Sequence, residues 1–385
     1  MKILHLLYES KGDYFGIGGV GIRAYEIYRY LKDRHEITLV CKKYPGARDG
    51  EKEGLRHVFV GTESKNLTKT FLSYARRSAH FLRTHGSSFD VIIEEFSPAI
   101  PSFIHFFTEK PLILQVQGYT GVLYFKKYNL AYAVTLSLLE QLRPMFYKNF
   151  IFINSQTQSK LFLGRPKHRC IIPNGVPAEL LQSLDRPFQD LGYVLFLGRI
   201  DIYGKGLDTL LDGYAEFYRS FPDTRLVIAG DGRDMELLRT MLAKLPEKIT
   251  GNIDLLGWVS GERKIEVLKK ASFVVFPSRH EVQPIAVLEA MAAWKPVIVS
   301  DIPEFSFVTD KGAGIAFRTG DALSLTQSMK DLMAGSEQQD MGRRGRDLVK
   351  DFTWEGIAAK FEDFLYTVLK DMEVTTAKKI PDVPE

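Results

Sequence analysis

Two carboxylates, Glu281 and Glu289, stand eight residues apart in SRHEVQPIAVLEAMAAWKPVIVS (278–300), and only apolar residues, Gln283 and Pro284 separate them. A stretch this apolar looks built for burial, so its acids ask for a reason. On spacing alone, Glu281 favouring a helix dipole and Glu289 as a solvated helix position serve as well as a ligand site. Earlier, FLGRIDIYGKGLDTLLDGY (196–214) ends a strand at Gly198, follows it with Arg199, and opens a helix at Lys205-Gly206. Two cations at one strand-to-helix junction, beside unpaired helix N–H groups, suit a diphosphate, although two solvated loop cations would read the same way. VIAGDGRDMELL (227–238) repeats the strand, glycine turn and helix at Gly230, shaping the same edge without offering a catalyst. In GIGGVG (16–21), Gly18 and Gly19 would let a backbone approach a phosphate at a helix start. The spacing is not G-x-G-x-x-G, and a tight turn explains it equally well.

The elements that must position these residues are short apolar runs alternating with helical patterns. Strands are expected at 2–8, 36–42, 55–60, 89–94, 111–117, 150–155 and 169–173, then at 192–198, 224–230, 252–257, 271–277, 295–300 and 313–317. Helices are expected at 19–33, at 68–85 and over IAVLEAMAAW, with Pro284 in the first turn, where its missing N–H costs nothing. Repeated βα units imply an α/β fold with two tandem, Rossmann-like, doubly wound domains. The stretch 177–192 contains a plausible linker, because a fresh series of units begins after it. The tail after about Lys378 is polar and proline-bearing and is expected to fray.

Composition bounds the rest. The chain has 385 residues, 45% hydrophobic and 25% charged, which is ordinary for a globular protein. Its longest apolar stretch, LAYAVTLSLL (130–139), is too short to cross a bilayer, and MKILHLLYES reads as a first strand rather than a signal peptide. Cys41 and Cys170 fit a reduced, cytoplasmic protein and cannot make a zinc site alone. The net charge of +4 conceals an asymmetry: residues 1–189 carry 26 Lys and Arg against 16 Asp and Glu, and residues 190–385 carry 25 against 31. A basic first half suggests an anionic partner. Without a nucleic-acid module, phosphate groups or an acidic lipid surface fit better than nucleic acid; a merely solvated basic surface is the alternative.

Taken together, GGVGIRAYEIYRYLKDRHEITLV (18–40), IPNGV (172–176), GRIDIYGKG, IAGDG, LLGWV (255–259) and FPSRHEVQPIAVLEAMA resemble the retaining glycosyltransferases of the GT-B fold, in glycosyltransferase family four. The last of these is similar to the family's E-x7-E element and is the most specific. The resemblance implies an acceptor-binding domain over 1–180, a nucleotide-sugar-binding domain over 190–355, a helix over 356–378 returning to the first domain, and an active site in the interdomain cleft. It implies that Glu289 holds the ribose hydroxyls of a nucleotide, which suits a carboxylate facing a vicinal diol, and that Glu281 lies beside the donor sugar. Arg199 and Lys205 match the basic pair that neutralises the leaving diphosphate. Backbone N–H groups of Ile285 and Ala286 would meet the phosphates, Trp258 and Val259 would set backbone against the base, and Gly18, Gly19, Gly198 and Gly230 would line the donor. Where many members carry a histidine near the donor sugar this chain has Gln117, which can hydrogen-bond a sugar hydroxyl but cannot act as a general base. His5, His105 and His280 are expected to be structural or solvated.

The implied activity is transfer of a sugar from a nucleotide-diphosphate sugar to a hydroxyl acceptor with retention. No D-x-D occurs in the chain, so no metal and no further cofactor are expected. Alternatives are a nucleotide-sugar epimerase or phosphorylase of the same fold, or a non-catalytic sugar-nucleotide binder. Arg76, Arg77 and Arg83 among apolar residues of one helix, and Lys126, Lys127 and Arg143 within 122–148, suit peripheral contact with an anionic membrane on its inner face and a lipid-linked or polysaccharide acceptor. The bland reading is that those apolar residues are core and the cations ordinary surface.

Overall fold

The computed structural model describes residues 1–14, 16–182 and 192–377. Each apolar run picked out above folds as a strand of one of two sheets. The first sheet contains β1 (Lys2–Leu6), β2 (Glu36–Lys42), β3 (Gly50–Lys52), β4 (Leu55–Val60), β5 (Val91–Glu95), β6 (Leu112–Val116), β7 (Asn149–Phe152) and β8 (His168–Ile171), in the order β3-β4-β2-β1-β5-β6-β7-β8. The second contains β9 (Tyr193–Leu197), β10 (Arg225–Ala229), β11 (Ile253–Gly257), β12 (Ala271–Phe276), β13 (Val297–Ser300) and β14 (Gly314–Phe317), in the order β11-β10-β9-β12-β13-β14. All pairings are parallel except β3 with β4. The three exposed residues of β3 were not expected as a strand, since they carry no apolar alternation. They cover the edge of β4.

The chain divides into two units: Met1–Asn174 with the helix beginning at Trp354, and Gly175–Thr353. In the second unit, alternate strand residues enter cores on opposite faces of the sheet. Leu195, Val274, Phe276 and Val299 join one core, and Phe196, Phe273, Val275 and Ile298 the other. A parallel sheet with both faces covered reads as a continuous apolar run, which is why these strands stand out in the sequence. In the first unit, the helix Trp354–Ala377 packs on the helix Gly19–Leu31, with Phe361 edge-on to Tyr28 and Glu362 taking His35 at 2.6 Å and Arg34 at 2.9 Å. The expected linker begins as a short helix, Ala178–Gln182, in the second unit. Its remainder over 183–191, and the tail from 378, lie outside the described residues.

Both strand orders reverse once near their middle, between β1 and β5 and between β9 and β12. At such a reversal the loops leaving the two central strands diverge to opposite faces and open a crevice at their carboxyl ends, where ligands bind in open α/β sheets.

His105 carries one consequence for stability. Its ring stacks on Phe146 at 4.9 Å, and neither ring nitrogen has a hydrogen-bond partner among the described residues. Burial, and then the Arg143 charge, lower its pKa from 6.5 to about 4. The folded chain therefore stays unprotonated at this ring down to about pH 4, whereas the unfolded chain takes up a proton near 6.5. The contribution is intact above that pH and is lost as pH falls through this window. Between pH 7 and pH 5 the loss is about 1 kcal/mol after discounting for solvent screening. Urea unfolding of His105→Phe is expected to lose less stability over that interval than the parent. Equal losses in both proteins would remove His105 as the cause.

Candidate functional site

The crevice of the second sheet is framed by the loops after β9 and β12. After β9, residues 198–206 fold tightly on themselves: the Asp201 carboxylate accepts the Gly204 N–H at 2.8 Å, and the Asp201 carbonyl accepts the Lys205 N–H at 2.9 Å. Neighbours fix the loop on both sides. Ile200 N–H donates to the Asp231 carbonyl at 2.9 Å, Ile202 N–H to the Asp234 carboxylate at 3.0 Å, and Arg279 N–H to the Gly204 carbonyl at 3.1 Å. Gly206 has φ +66°, and a Cβ there would fall 1.9 Å from the Pro277 carbonyl oxygen. Gly230, at φ +158°, would put a Cβ 1.8 Å from the Gly198 carbonyl oxygen. Only glycine fits either place, so these glycines set the separation of the loops.

This packing brings Lys205 and Glu281 together. The Lys205 ammonium donates to the Glu281 carboxylate, which also accepts the Ser278 hydroxyl at 2.8 Å. Arg199 is exposed at the end of β9 and makes no hydrogen bond or ion pair among the described residues. Pro284 caps the helix Ile285–Ala292, one residue outside the position expected for it. Its first two N–H groups, of Ile285 and Ala286, have no acceptor among the described residues. That helix is otherwise buried, and Glu289 with it, at 4% exposure. A buried carboxylate needs a partner, and the Lys264 ammonium lies 2.5 Å away, reaching across from the helix Gly261–Lys270. Trp258 and Val259 follow β11; the indole is exposed and the valine buried. The Lys205–Glu281 pair therefore stands just before a helix N-terminus, with exposed Arg199 on the same loop as Lys205 and a second carboxylate one turn into that helix.

A profile described as Glycosyl transferases group 1 matches residues 192–335, and one described as Glycosyltransferase Family 4 matches residues 17–180. The chain belongs to glycosyltransferase family four. Among curated proteins, this family member is 32% identical over 203 residues to a phosphatidyl-myo-inositol mannosyltransferase of Mycobacterium leprae, covering 51% of this chain and 53% of that one. The match thus spans about half the length of that relative. Among solved structures, sucrose-phosphate synthase from Thermosynechococcus elongatus superposes with a TM-score of 0.78 at 19% identity, over 96% of this chain and 99% of that one. Anabaena HepE in complex with UDP-glucose superposes with a TM-score of 0.69 at 17% identity, over 95% of this chain and 100% of that one. The fold of this family-four member is accordingly GT-B.

Gly18, Gly19 and Gln117 lie in the other unit. The N–H groups of Gly18 and Gly21 donate to the Glu9 carboxylate at 2.9 and 2.8 Å, so an internal acid holds this helix start. Burial pushes the Glu9 carboxyl up, and the N–H groups of Gly21 and Gly18 pull it back. The Gly19 N–H has no such bond among the described residues, and a Cβ there would meet nothing within 4 Å. Gln117 follows β6, and its amide nitrogen lies 3.1 and 3.0 Å from the two Glu95 oxygens. With the amide nitrogen committed, the carbonyl oxygen of Gln117 is the end left to meet a ligand. Gln115 also donates to Glu95, and His5 Nε2 stands 3.2 Å from it while Nδ1 meets the Tyr28 hydroxyl at 2.7 Å. His5 is therefore buried and structural.

Sequence reasoning missed Glu9, Glu95, Lys264 and Arg279. Arg279 binds Asp208 through both terminal nitrogens at 2.8 Å and lies over the Tyr203 ring, bracing the loop that carries Lys205. Glu9 had a local signal, an acid just before a glycine run at a helix start. The other three act through partners distant in sequence.

Proposed function

We propose that this chain transfers a sugar from a nucleoside-diphosphate sugar to a hydroxyl acceptor, with retention at the anomeric carbon and without a metal ion. The observation that carries the reading is the pairing of Lys205 with Glu281 just before the Ile285–Ala292 helix start, on the loop that also carries exposed Arg199. Arg199 and Lys205 would take the charge that develops on the leaving diphosphate, with the Ile285 and Ala286 N–H groups as further donors. Glu289 would hold the ribose diol and share its carboxylate with Lys264. Glu281 would face the donor sugar and hold Lys205 in place, and the 258–259 backbone would meet the base. Likeness to HepE, solved with UDP-glucose, supports a nucleoside-diphosphate sugar, and likeness to a mannosyltransferase named for phosphatidyl-myo-inositol supports a lipid-linked acceptor. Retention rests on family membership.

Thermal shift across a panel of nucleotide sugars tests the donor, because a ligand that binds only the folded state raises apparent stability. One donor is expected to stabilise the protein and to be slowly hydrolysed or transferred, with a rate unchanged by a chelator. Activity abolished by chelation and restored by magnesium would overturn the metal-independent reading. Epimerised donor, or tight binding without turnover, would overturn transfer itself.

A further inference from the structure

The helix Leu130–Leu142 is packed with its polar anchor inward and one row of apolar side chains outward. Its buried positions are Ala133, Leu136 and Glu140. Leu130, Val134, Leu138 and Leu142, spaced one turn apart along one side, are 71%, 40%, 54% and 50% exposed. Glu140 is the fixing point: its carboxylate accepts the N–H groups of Thr120 and Gly121 at 2.8 and 2.7 Å and the Tyr124 hydroxyl at 3.1 Å. Those bonds hold the helix to the turn that follows Gln117 and so fix which side faces out. The apolar row continues beyond the helix to exposed Phe146, whose ring lies 6.0 Å from that of the also exposed Phe106. Isolated surface leucines need no explanation, but a continuous apolar row with its acid turned inward marks a contact surface.

Charge identifies what it contacts. From Lys110 through Ala178 the chain has nine Lys and Arg and a single acid, Glu140; that acid is buried, and so is one of the cations, Arg143, which pairs with Glu94 and, against the expectation from sequence, cannot meet a lipid surface. Some of these cations lie beside the row. The Gln141 side chain donates to the Lys160 carbonyl at 3.2 Å and accepts the Phe162 N–H at 3.2 Å, laying exposed Lys160 and Phe162 along the helix, with Arg165 exposed three residues further on. Arg83 stands over the Phe107 ring at 5.7 Å. No described helix is long and apolar enough to cross a membrane. A narrow apolar row flanked by cations suits shallow seating at a lipid surface.

We propose that the Leu130–Leu142 helix, with Phe106 and Phe146, docks on an anionic lipid bilayer, the leucine row entering the acyl boundary and the flanking cations lying among the headgroups. A second copy of this chain is disfavoured as the occupant, because it would set two cationic surfaces face to face. The inference deepens the reading of a lipid-linked acceptor and rests on it only for its purpose.

Its test needs no donor. Full-length protein is sedimented with vesicles of phosphatidylcholine alone, and with vesicles of equal parts phosphatidylcholine and phosphatidylglycerol. Binding to the anionic vesicles is expected at low salt, roughly tenfold weaker to the neutral ones, and falling as salt rises. Leu138→Ser with Leu142→Ser, and separately Lys160→Glu with Arg165→Glu, should each reduce it by about tenfold. All four positions are exposed, and an unchanged melting temperature and unchanged donor thermal shift would show both variants intact. No binding at low salt, or binding indifferent to the serine pair, overturns the proposal. So does a dimer in sedimentation velocity that the serine pair dissolves while vesicles are ignored. Because donor binding is read separately, failure of the transferase reading leaves the vesicle result standing, and the converse holds.

Discussion

Arg199→Ala is expected to lower kcat by about 10²–10³ while leaving donor affinity much closer to that of the parent. Negative charge on the diphosphate grows as the bond to the sugar breaks, so a cation placed there stabilises the transition state more than the bound donor. Arg199 is the cleanest probe of this effect in the crevice. It is exposed and makes no hydrogen bond or ion pair among the described residues, so its loss should leave the fold within about 0.5 kcal/mol of the parent. Lys205 is less clean. Its removal also takes a partner from Glu281, which among the described residues would keep only the Ser278 hydroxyl. Lys205→Ala should therefore lower kcat similarly and cost some stability as well. Steady-state kinetics with a measured donor Kd separates the two effects. A folded Arg199→Ala protein with undiminished kcat, or one that has lost donor affinity in proportion to its kcat, would defeat the leaving-group assignment.

Glu289→Ala is expected to weaken donor binding by about 3 kcal/mol, on the order of a hundredfold in Kd, for two hydrogen bonds between a carboxylate and a diol. The Lys264 pair complicates the measurement, because the same substitution strands an ammonium beside a buried site. Lys264 is itself a quarter exposed and can turn toward water, so the stability cost should be modest. Combining Glu289→Ala with Lys264→Met should restore whatever stability was lost and leave donor affinity low. Isothermal titration of the three proteins decides the matter. Affinity that recovers in the double variant would make the pair a structural device and leave the ribose without its holder.

The residues of this crevice were legible because each belongs to a local pattern: a strand that ends in glycine, a cation, a helix start. Buried parallel strands are legible for a similar reason, since two covered faces leave no polar alternation to blur the run. What could not be read is whatever the strand order brings together. Glu95, Gln115 and His5 sit on three strands, with Gln117 just after one of them, that become neighbours only in the folded sheet, and nothing near Lys264 in sequence points to Glu289. The helix Leu130–Leu142 failed in another way. Its apolar composition is compatible with burial or exposure, and the side that faces out is set by the bonds Glu140 makes to residues 120–124.

The contact of Gly206 with the Pro277 carbonyl also orders events during folding. The loop carrying Arg199 and Lys205 leaves β9, yet one of its walls is the end of β12, whose register sets Ala271 opposite Tyr193 across a long intervening chain. That closure costs entropy before any contact rewards it. A chain still being synthesised, or one truncated before Pro277, would hold both cations on a loop with no wall to shape it. Residues through Arg279 must emerge before the Gly204 carbonyl and the Asp208 carboxylate gain their donors. The cationic and carboxylate halves of the crevice therefore mature together, and an incomplete second unit should lack a formed crevice altogether.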